Sequence, residues 1–166
     1  MEVFIGLGSN LGDARAHLRA GRQGLETLAG CRSLAVSSLY HTAPVGVTDQ
    51  PAFLNAVVRG MFGGEPLELL DALLAIEAGQ GRQRRLRWGP RTLDLDLLLF
   101  GDQVIDSDRL TTPHPEMHRR VFVLAPLMEL APELVLPVWG QTAAQLLARL
   151  SPRERQDQQV ERLAWD

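Results

Sequence analysis

Between Leu93 and Phe100 the sequence first alternates apolar with acidic residues and then becomes wholly apolar. Alternate residues of a β-strand share a face, so a strand here places Asp94, Asp96, Leu98 and Phe100 on one side and leucines on the other. The Cα atoms of the two aspartates would lie about 6.5 Å apart, which is two strand rises. Carboxylates at that separation can converge on divalent cations, and hard oxygen ligands favour Mg²⁺.

The simplest alternative is that both carboxylates lie on the solvent-facing side of an antiparallel sheet, since such sheets often have one wet face. Aspartate is a poor strand former, however, so two of them inside a leucine-rich strand need a compensating reason, and a bound cation is the commonest. The arginines that precede the strand favour the same interpretation. The pattern therefore predicts a metal-dependent site for a phosphate-bearing ligand.

Five arginines fall within ten residues before this strand: Arg82, Arg84, Arg85, Arg87 and Arg91. The chain has no lysine, so a lysine-containing P-loop is excluded, and phosphate must be held by guanidinium groups, backbone amides or metal. A solvated basic loop is one alternative, and a nucleic-acid site in which Trp88 stacks on a base is another. The net charge of −3 and a pI near 5.8 argue against a dedicated polyanion binder.

The length of 166 residues and a hydrophobic content of 45% suit one domain with a full core, so we predict a single domain over residues 1–166. Glycines interrupt the first apolar residues too early for a signal peptide, and no apolar run approaches the length of a membrane span. We therefore expect a cytoplasmic protein. Cys31 is the single cysteine, which excludes an internal disulfide and indicates a packing residue.

Hydrophobic periodicity and turn residues predict the order of the elements. Strands are predicted at 3–7, 34–40, 53–61 and 94–100 and around Val104, and helices at about 13–29 and at 66–79. The glycines between Gly6 and Gly12 are predicted to form a tight turn, because their spacing does not match a dinucleotide-binding fingerprint. This order fits an α+β fold, a ferredoxin-like sandwich with a mainly antiparallel sheet and helices packed on it.

Prolines mark the irregular parts of the chain. The loop that contains Pro44 and Pro51 is longer than a hairpin needs, which predicts a mobile catalytic lid. Pro126 and Pro132 are expected to interrupt an apolar helix. The tail beyond Gln141 is predicted to form an amphipathic helix followed by a polar end that carries no chemistry.

The segment from Arg87 to Asp96 reads Arg-Trp-Gly-Pro-Arg-Thr-Leu-Asp-Leu-Asp. Together with the stretches 4–11, 49–51, 53–56, 113–114 and 130–134, it resembles the 6-hydroxymethyl-7,8-dihydropterin pyrophosphokinase family of the folate pathway. The resemblance implies that the hydroxymethyl oxygen of a reduced pterin attacks the β-phosphorus of ATP, so that a pyrophosphoryl group is transferred and AMP leaves. It also implies two Mg²⁺ ions held by Asp94 and Asp96, ATP as co-substrate, no nucleic-acid or membrane partner, and a monomer.

The same resemblance implies roles for individual residues. Catalytic roles are implied for Arg82, Arg91, Asp94 and Asp96. Contacts to the pterin substrate are implied for Thr42, Val45, Phe53, Asn55 and Phe122, with Trp88 supporting the closed arginine loop. Contacts to ATP are implied for Glu77, Arg82, Arg87, Arg91, Arg109, Thr111, His114 and Arg120. Three residues depart from the family pattern: Ala43 replaces the commoner proline, Phe53 a tyrosine, and Leu74 a polar side chain.

Two other classes of protein remain as alternatives. A nucleotidyltransferase can also place an Asp-x-Asp pair on a ferredoxin-like sheet, but it attacks the α-phosphorus and releases pyrophosphate. An arginine-rich RNA-binding module would bind polyanions with a steep salt dependence and would tolerate the loss of both aspartates. Identification of the leaving product, and of the dependence on the aspartates, separates the three classes.

Overall fold

The computed structural model of the protein describes residues 1–42, 49, 51–80 and 92–166. The arginine cluster at 82–91 and most of the proline-containing loop lie outside these ranges. The predictions that concern the lid and the arginine loop therefore stay predictions. No helix in the described ranges is long and apolar enough to cross a membrane.

The described chain contains both long elements and several short ones. The strands are β1 (Glu2–Ser9), β2 (Cys31–Val36), β3 (Leu39–Thr42), β4 (Phe53–Phe62), β5 (Asp94–Phe100), β6 (Ile105–Asp106), β7 (Thr111–Thr112), β8 (Val135–Leu136), β9 (Gln141–Thr142) and β10 (Val160–Leu163). The helices are α1 (Ala14–Glu26), α2 (Pro66–Gly79), α3 (Val121–Leu130), α4 (Ala143–Arg149) and α5 (Pro152–Asp157), with a 3₁₀ turn at Met117–Arg119.

One antiparallel sheet organises the fold. Its strand order is β10-β3-β4-β1-β5, and β2 also pairs with β4. The apolar side chains form two clusters, one shared by the sheet with α1 and α2 and the other shared by the sheet with α3 and α4. The predicted α+β fold with a mainly antiparallel sheet is confirmed.

The strand predicted at 34–40 was wrong, because two strands replace it. β2 and β3 both pair with β4, and Ser37 lies between them. The side-chain hydroxyl of Ser37 accepts a hydrogen bond from the backbone N–H of Val57 at 3.0 Å. The backbone carbonyl of Ser37 accepts a hydrogen bond from the indole N–H of Trp165 at 2.7 Å. The regular ladder is interrupted at Ser37 because a side chain takes the place of the backbone acceptor.

The alternation predicted along β5 holds only as far as Leu98. Phe4 of β1 pairs with Leu99, whereas Ile5 pairs with Leu97, so β5 contains one extra residue. This is a β-bulge, which turns the following side chains to the opposite face. Leu98 and Leu99 consequently both pack in the cluster of α3 and α4, and Phe100 packs in the other cluster.

The helices also differ in detail from the predicted ones. α1 ends at Glu26, three residues before the predicted end. Leu74, predicted on the inner side of α2, is 37% exposed, and Glu77 is buried instead. Pro126 does not interrupt α3 but lies inside it, and the helix ends before Pro132. The polar end of the tail was also mispredicted, because β10 extends the sheet beside β3.

Candidate active site

The neighbouring strands β4, β1 and β5 bring Asn55 and Asp94 to one face of the sheet, on either side of a glycine. Gly8 of β1 pairs with Asn55 of β4 on one side and with Asp94 of β5 on the other. One step along β1, Gly6 pairs with Val57 and with Asp96 in the same way. Paired residues of antiparallel strands face the same side, so the two glycines leave a bare strip between the amide and the two carboxylates.

A cavity of about 670 Å³ lies over this strip. Its volume is in the range of small-molecule sites. It is lined by eleven of the residues named from the sequence: Thr42, Phe53, Asn55, Glu77, Asp94, Asp96, Arg109, Thr111, His114, Arg120 and Phe122. Of these eleven residues, Thr42 and Phe122 are the farthest apart along the chain, at 80 positions, and the fold brings them to one site. The other five candidates lie outside the described residues: Val45, Arg82, Arg87, Trp88 and Arg91.

The amide of Asn55 is held in place at one end of the cavity. Asn55 is 8% exposed, and its Nδ2 donates to the hydroxyl of Thr42 at 3.2 Å. A Cβ atom at Gly8 would lie 2.7 Å from Asn55 Oδ1, which is closer than real Cβ contacts allow. The absence of a side chain at Gly8 is therefore what lets the Asn55 amide lie over β1.

An aromatic ring and a guanidinium group lie together at the start of α3. Phe122 is in the first turn of α3, and the guanidinium carbon of Arg120 lies 5.6 Å from the centroid of its ring. Both residues line the cavity and are only partly buried. The pattern alone would make Phe122 a core residue, but its ring contributes to the cavity wall instead.

Glu77 fixes the strand that carries the two aspartates. It is 3% exposed, and its Oε2 accepts the backbone N–H of Leu95 at 2.7 Å. β5 is an edge strand, so those of its N–H groups that do not bond to β1 need an acceptor from elsewhere, and Glu77 supplies one to Leu95. Because Leu95 lies between Asp94 and Asp96, the bond from α2 holds the backbone of the Asp-x-Asp segment.

Asp94 and Asp96 offer oxygen donors that suit a hard divalent cation such as Mg²⁺. Both are partly buried and line the cavity. The described residues contain no group of three or more histidine, cysteine or acidic side chains that could enclose a metal ion. This donor set fits Mg²⁺, which commonly takes one or two carboxylates and completes its octahedron with water and substrate phosphates.

The family model for 7,8-dihydro-6-hydroxymethylpterin-pyrophosphokinase matches residues 4–132 of this chain. This chain belongs to that pyrophosphokinase family. The match includes β1, β4 and β5 and thus every strand that carries the bare strip and its flanking side chains.

Individual proteins that contain a pyrophosphokinase of this family are also similar to most of this chain. The 2-amino-4-hydroxy-6-hydroxymethyldihydropteridine pyrophosphokinase of Pseudomonas aeruginosa is 52% identical over 146 residues, which are 88% of this chain and 90% of that protein. The enzyme of the same name from Haemophilus influenzae is 47% identical over 81% of this chain and 84% of its own length. The mitochondrial folate synthesis bifunctional protein of Arabidopsis thaliana is 49% identical to this chain over 129 residues. These residues are 78% of this chain but 23% of that longer protein.

Sequence reasoning placed Gly6 and Gly8 of this family member in a turn, and that was wrong. Both lie inside β1, which runs to Ser9, and the turn follows at Gly12, where φ is +66°. The spacing could have indicated this, since Val3, Ile5 and Leu7 alternate with the glycines as they would in a strand. Gln158 also lines the cavity, and no pattern or motif in the sequence selects it.

His114 is held as a neutral imidazole at the cavity wall. Burial and the positive charge of Arg120 lower its pKa from 6.5 to about 4, although the nearby Asp94 and Glu116 act in the opposite direction. Its Nδ1 accepts a hydrogen bond from the backbone N–H of Glu116 at 3.2 Å. The backbone N–H of His114 donates to the carbonyl of Leu98 at 2.9 Å. His114 therefore offers a neutral side chain near Arg120 and Asp94 at physiological pH.

This shift makes the stability of the ligand-free protein depend on pH. The pKa of His114 is lower in the folded than in the unfolded chain, so the unfolded chain binds more protons between about pH 6.5 and 4, and stability falls as the pH is lowered through that window. We expect His114 to account for a decrease in the free energy of unfolding on the order of 2 kcal/mol between pH 6.5 and pH 5. Urea denaturation at pH 6.5 and at pH 5 measures the free energy of unfolding. Between these two pH values, His114→Gln should lose less of that free energy than wild type does. His41→Gln, on an exposed position of β3, is the control and should keep the wild-type loss.

Proposed function

We propose that this protein transfers the pyrophosphoryl group of ATP to the hydroxymethyl group of 6-hydroxymethyl-7,8-dihydropterin, giving the pterin diphosphate and AMP in folate biosynthesis. The observation that carries the proposal is the row Asn55-Gly8-Asp94 across three strands. An amide suited to the hydrogen-bonding edge of a pterin is separated by one strand, β1, from a carboxylate suited to a metal-bound phosphate. A pterin alcohol and ATP bound in this cavity would therefore meet over Gly8.

The chain's own residues contribute mainly by positioning. The pterin hydroxymethyl oxygen forms a bond to the β-phosphorus and loses its proton to solvent, while the bond from that phosphorus to the oxygen shared with the α-phosphate breaks and leaves AMP. Asn55 and Phe122 orient the pterin, Arg120 contacts phosphate oxygens, and Glu77 keeps the Asp94 strand in register. Two bound Mg²⁺ ions would neutralise the phosphate charge that increases as the bond breaks.

Several finer features belong to the same proposal. We place all of residues 1–166 in one pyrophosphokinase domain, which the pairing of β10 with β3 supports. Arg82, Arg87 and Arg91, with Trp88 and Val45, are proposed to close over the bound substrates from the two segments outside the described residues. A monomer in the cytoplasm without nucleic-acid or membrane partners stays our prediction.

The first experiment mixes the protein with ATP, Mg²⁺ and 6-hydroxymethyl-7,8-dihydropterin and separates the nucleotide products by chromatography. We expect AMP, formed only when the pterin is present. Release of pyrophosphate with the nucleotide monophosphate attached to the acceptor would instead identify a nucleotidyltransferase. Binding to RNA with a steep salt dependence, and no AMP, would favour the arginine-rich binding module.

Truncation of the two pterin-side residues should separate the two substrates. We expect Asn55→Ala and Phe122→Ala to raise the dissociation constant for the pterin roughly tenfold, because each removes one hydrogen-bonding or stacking contact. The dissociation constant for a non-hydrolysable ATP analogue should change much less. Calorimetry of both ligands on each variant makes the measurement, and an equal loss for both ligands would show that the pterin end of the cavity is assigned wrongly.

A further inference from the structure

Gln158 joins the two sides of Arg120 through a single side-chain amide. Its Oε1 accepts the backbone N–H of Val121 at 3.1 Å, and its Nε2 donates to the carbonyl of Arg119 at 2.9 Å. The two bonds reach back 37 and 39 residues along the chain. The amide therefore spans Arg120 and restrains the backbone on both sides of it.

The segment that Gln158 restrains carries two residues of the cavity wall. Arg120 is the N-cap residue of α3, and its own side chain makes no capping bond. The first N–H groups of a helix have no partner within the helix, and Gln158 supplies one to Val121. Arg120 and Phe122 lie on either side of Val121, so the direction in which both side chains leave the backbone depends on this helix start.

Gln158 is itself held firmly by the tail that follows it. Val160 begins β10 and pairs with Thr42, the residue that hydrogen-bonds Asn55. Farther along, Arg162 forms an ion pair with Glu129 of α3 and also donates to Ser38 at 3.0 Å. The indole N–H of Trp165 donates a further hydrogen bond to the carbonyl of Ser37. The tail thus connects β3 with α3 across the edge of the sheet.

We propose that Gln158 is a positioning residue that sets Arg120 and Phe122 for the two substrates. The inference rests on the proposed function, because it assigns Arg120 to the ATP side and Phe122 to the pterin side of the cavity. Gln158 lies beyond the residues 4–132 that the family model matches. One side chain outside the matched region therefore supports both binding ends of the site within it.

Gln158→Met tests this, because methionine is nearly isosteric with glutamine and removes both hydrogen bonds without leaving a cavity. Gln159→Met, at the exposed neighbouring residue, is the matched control. We expect Gln158→Met to raise the dissociation constants of the pterin and of a non-hydrolysable ATP analogue together, each about tenfold, as expected for the loss of roughly one net hydrogen bond. KM for both substrates should rise and kcat should fall.

A merely structural role gives a different result. Partial unfolding would lower kcat and the number of binding sites in calorimetry but would leave both dissociation constants at the wild-type value. Gln158→Glu keeps the acceptor for Val121 and loses the donor to Arg119, but it also adds a negative charge at the cavity wall. It should therefore weaken the uncharged pterin less than Gln158→Met does. Unchanged dissociation constants in Gln158→Met, with a wild type that forms AMP, would overturn this inference alone. A folded wild type that forms no AMP would overturn the proposed function instead.

Discussion

Asp94→Asn and Asp96→Asn are each expected to lower turnover by about 10³-fold while the sheet stays folded. Asparagine keeps the shape of aspartate but removes the anionic oxygen that a hard cation requires. The fold should survive because β5 is held to β1 by backbone pairing, and the Leu95 N–H still bonds to Glu77. Turnover at saturating ATP and pterin, together with a thermal melt of each variant, makes the measurement.

Asp102→Asn is the matched control for these variants. Asp102 follows β5 in an exposed turn and does not line the cavity. This variant should keep wild-type turnover. That result would show that the loss of one negative charge from this region is not sufficient to lower turnover. The Mg²⁺ concentration needed for half-maximal turnover should rise in the Asp94 and Asp96 variants only. Near-wild-type turnover in either of them would contradict the assignment of the metal ligands.

Features that depend on local periodicity could be predicted from the sequence. The alternation around Asp94 predicted a strand with two carboxylates on one face, and the pattern after Pro66 predicted α2. The family resemblance added residues that no local pattern selects, such as Thr111 and His114, and the fold brings them to the same cavity. Local patterns and the resemblance together therefore named eleven of the 27 described residues that line the cavity.

Features that depend on pairing between distant segments could not be predicted in this way. The bulge in β5 exists only relative to the register of Phe4 and Ile5 on β1. β10 is a short strand of only four residues, and its pairing with β3 decides its conformation. Gln158 acts across 37 residues through one amide. A lone sequence carries no periodic pattern for any of these contacts, since each is defined by the tertiary structure.

Gly8→Val is the second substitution with a large expected effect, because Gly8 forms the bare strip between Asn55 and Asp94. Valine is a better strand former than glycine, so backbone considerations alone predict a neutral or stabilising change. The added Cβ, however, would lie 2.7 Å from Asn55 Oδ1 and must displace that amide from Thr42. We expect pterin affinity to fall by roughly 10- to 100-fold, the effect of overpacking by about 1–3 kcal/mol.

Gly6→Ala is the matched comparison for Gly8→Ala within the same strand. A Cβ atom at Gly6 would meet Leu98 at 3.6 Å, which is an ordinary contact, whereas the one at Gly8 clashes with Asn55. We therefore expect Gly8→Ala to weaken pterin binding in calorimetry more than Gly6→Ala does, with both proteins folded in thermal melts. Equal affinities in the two alanine variants would show that the Asn55 amide does not need the space over Gly8. A greater loss of pterin affinity in Gly8→Ala than in Gly6→Ala would instead link the missing side chain at Gly8 directly to the orientation of the pterin.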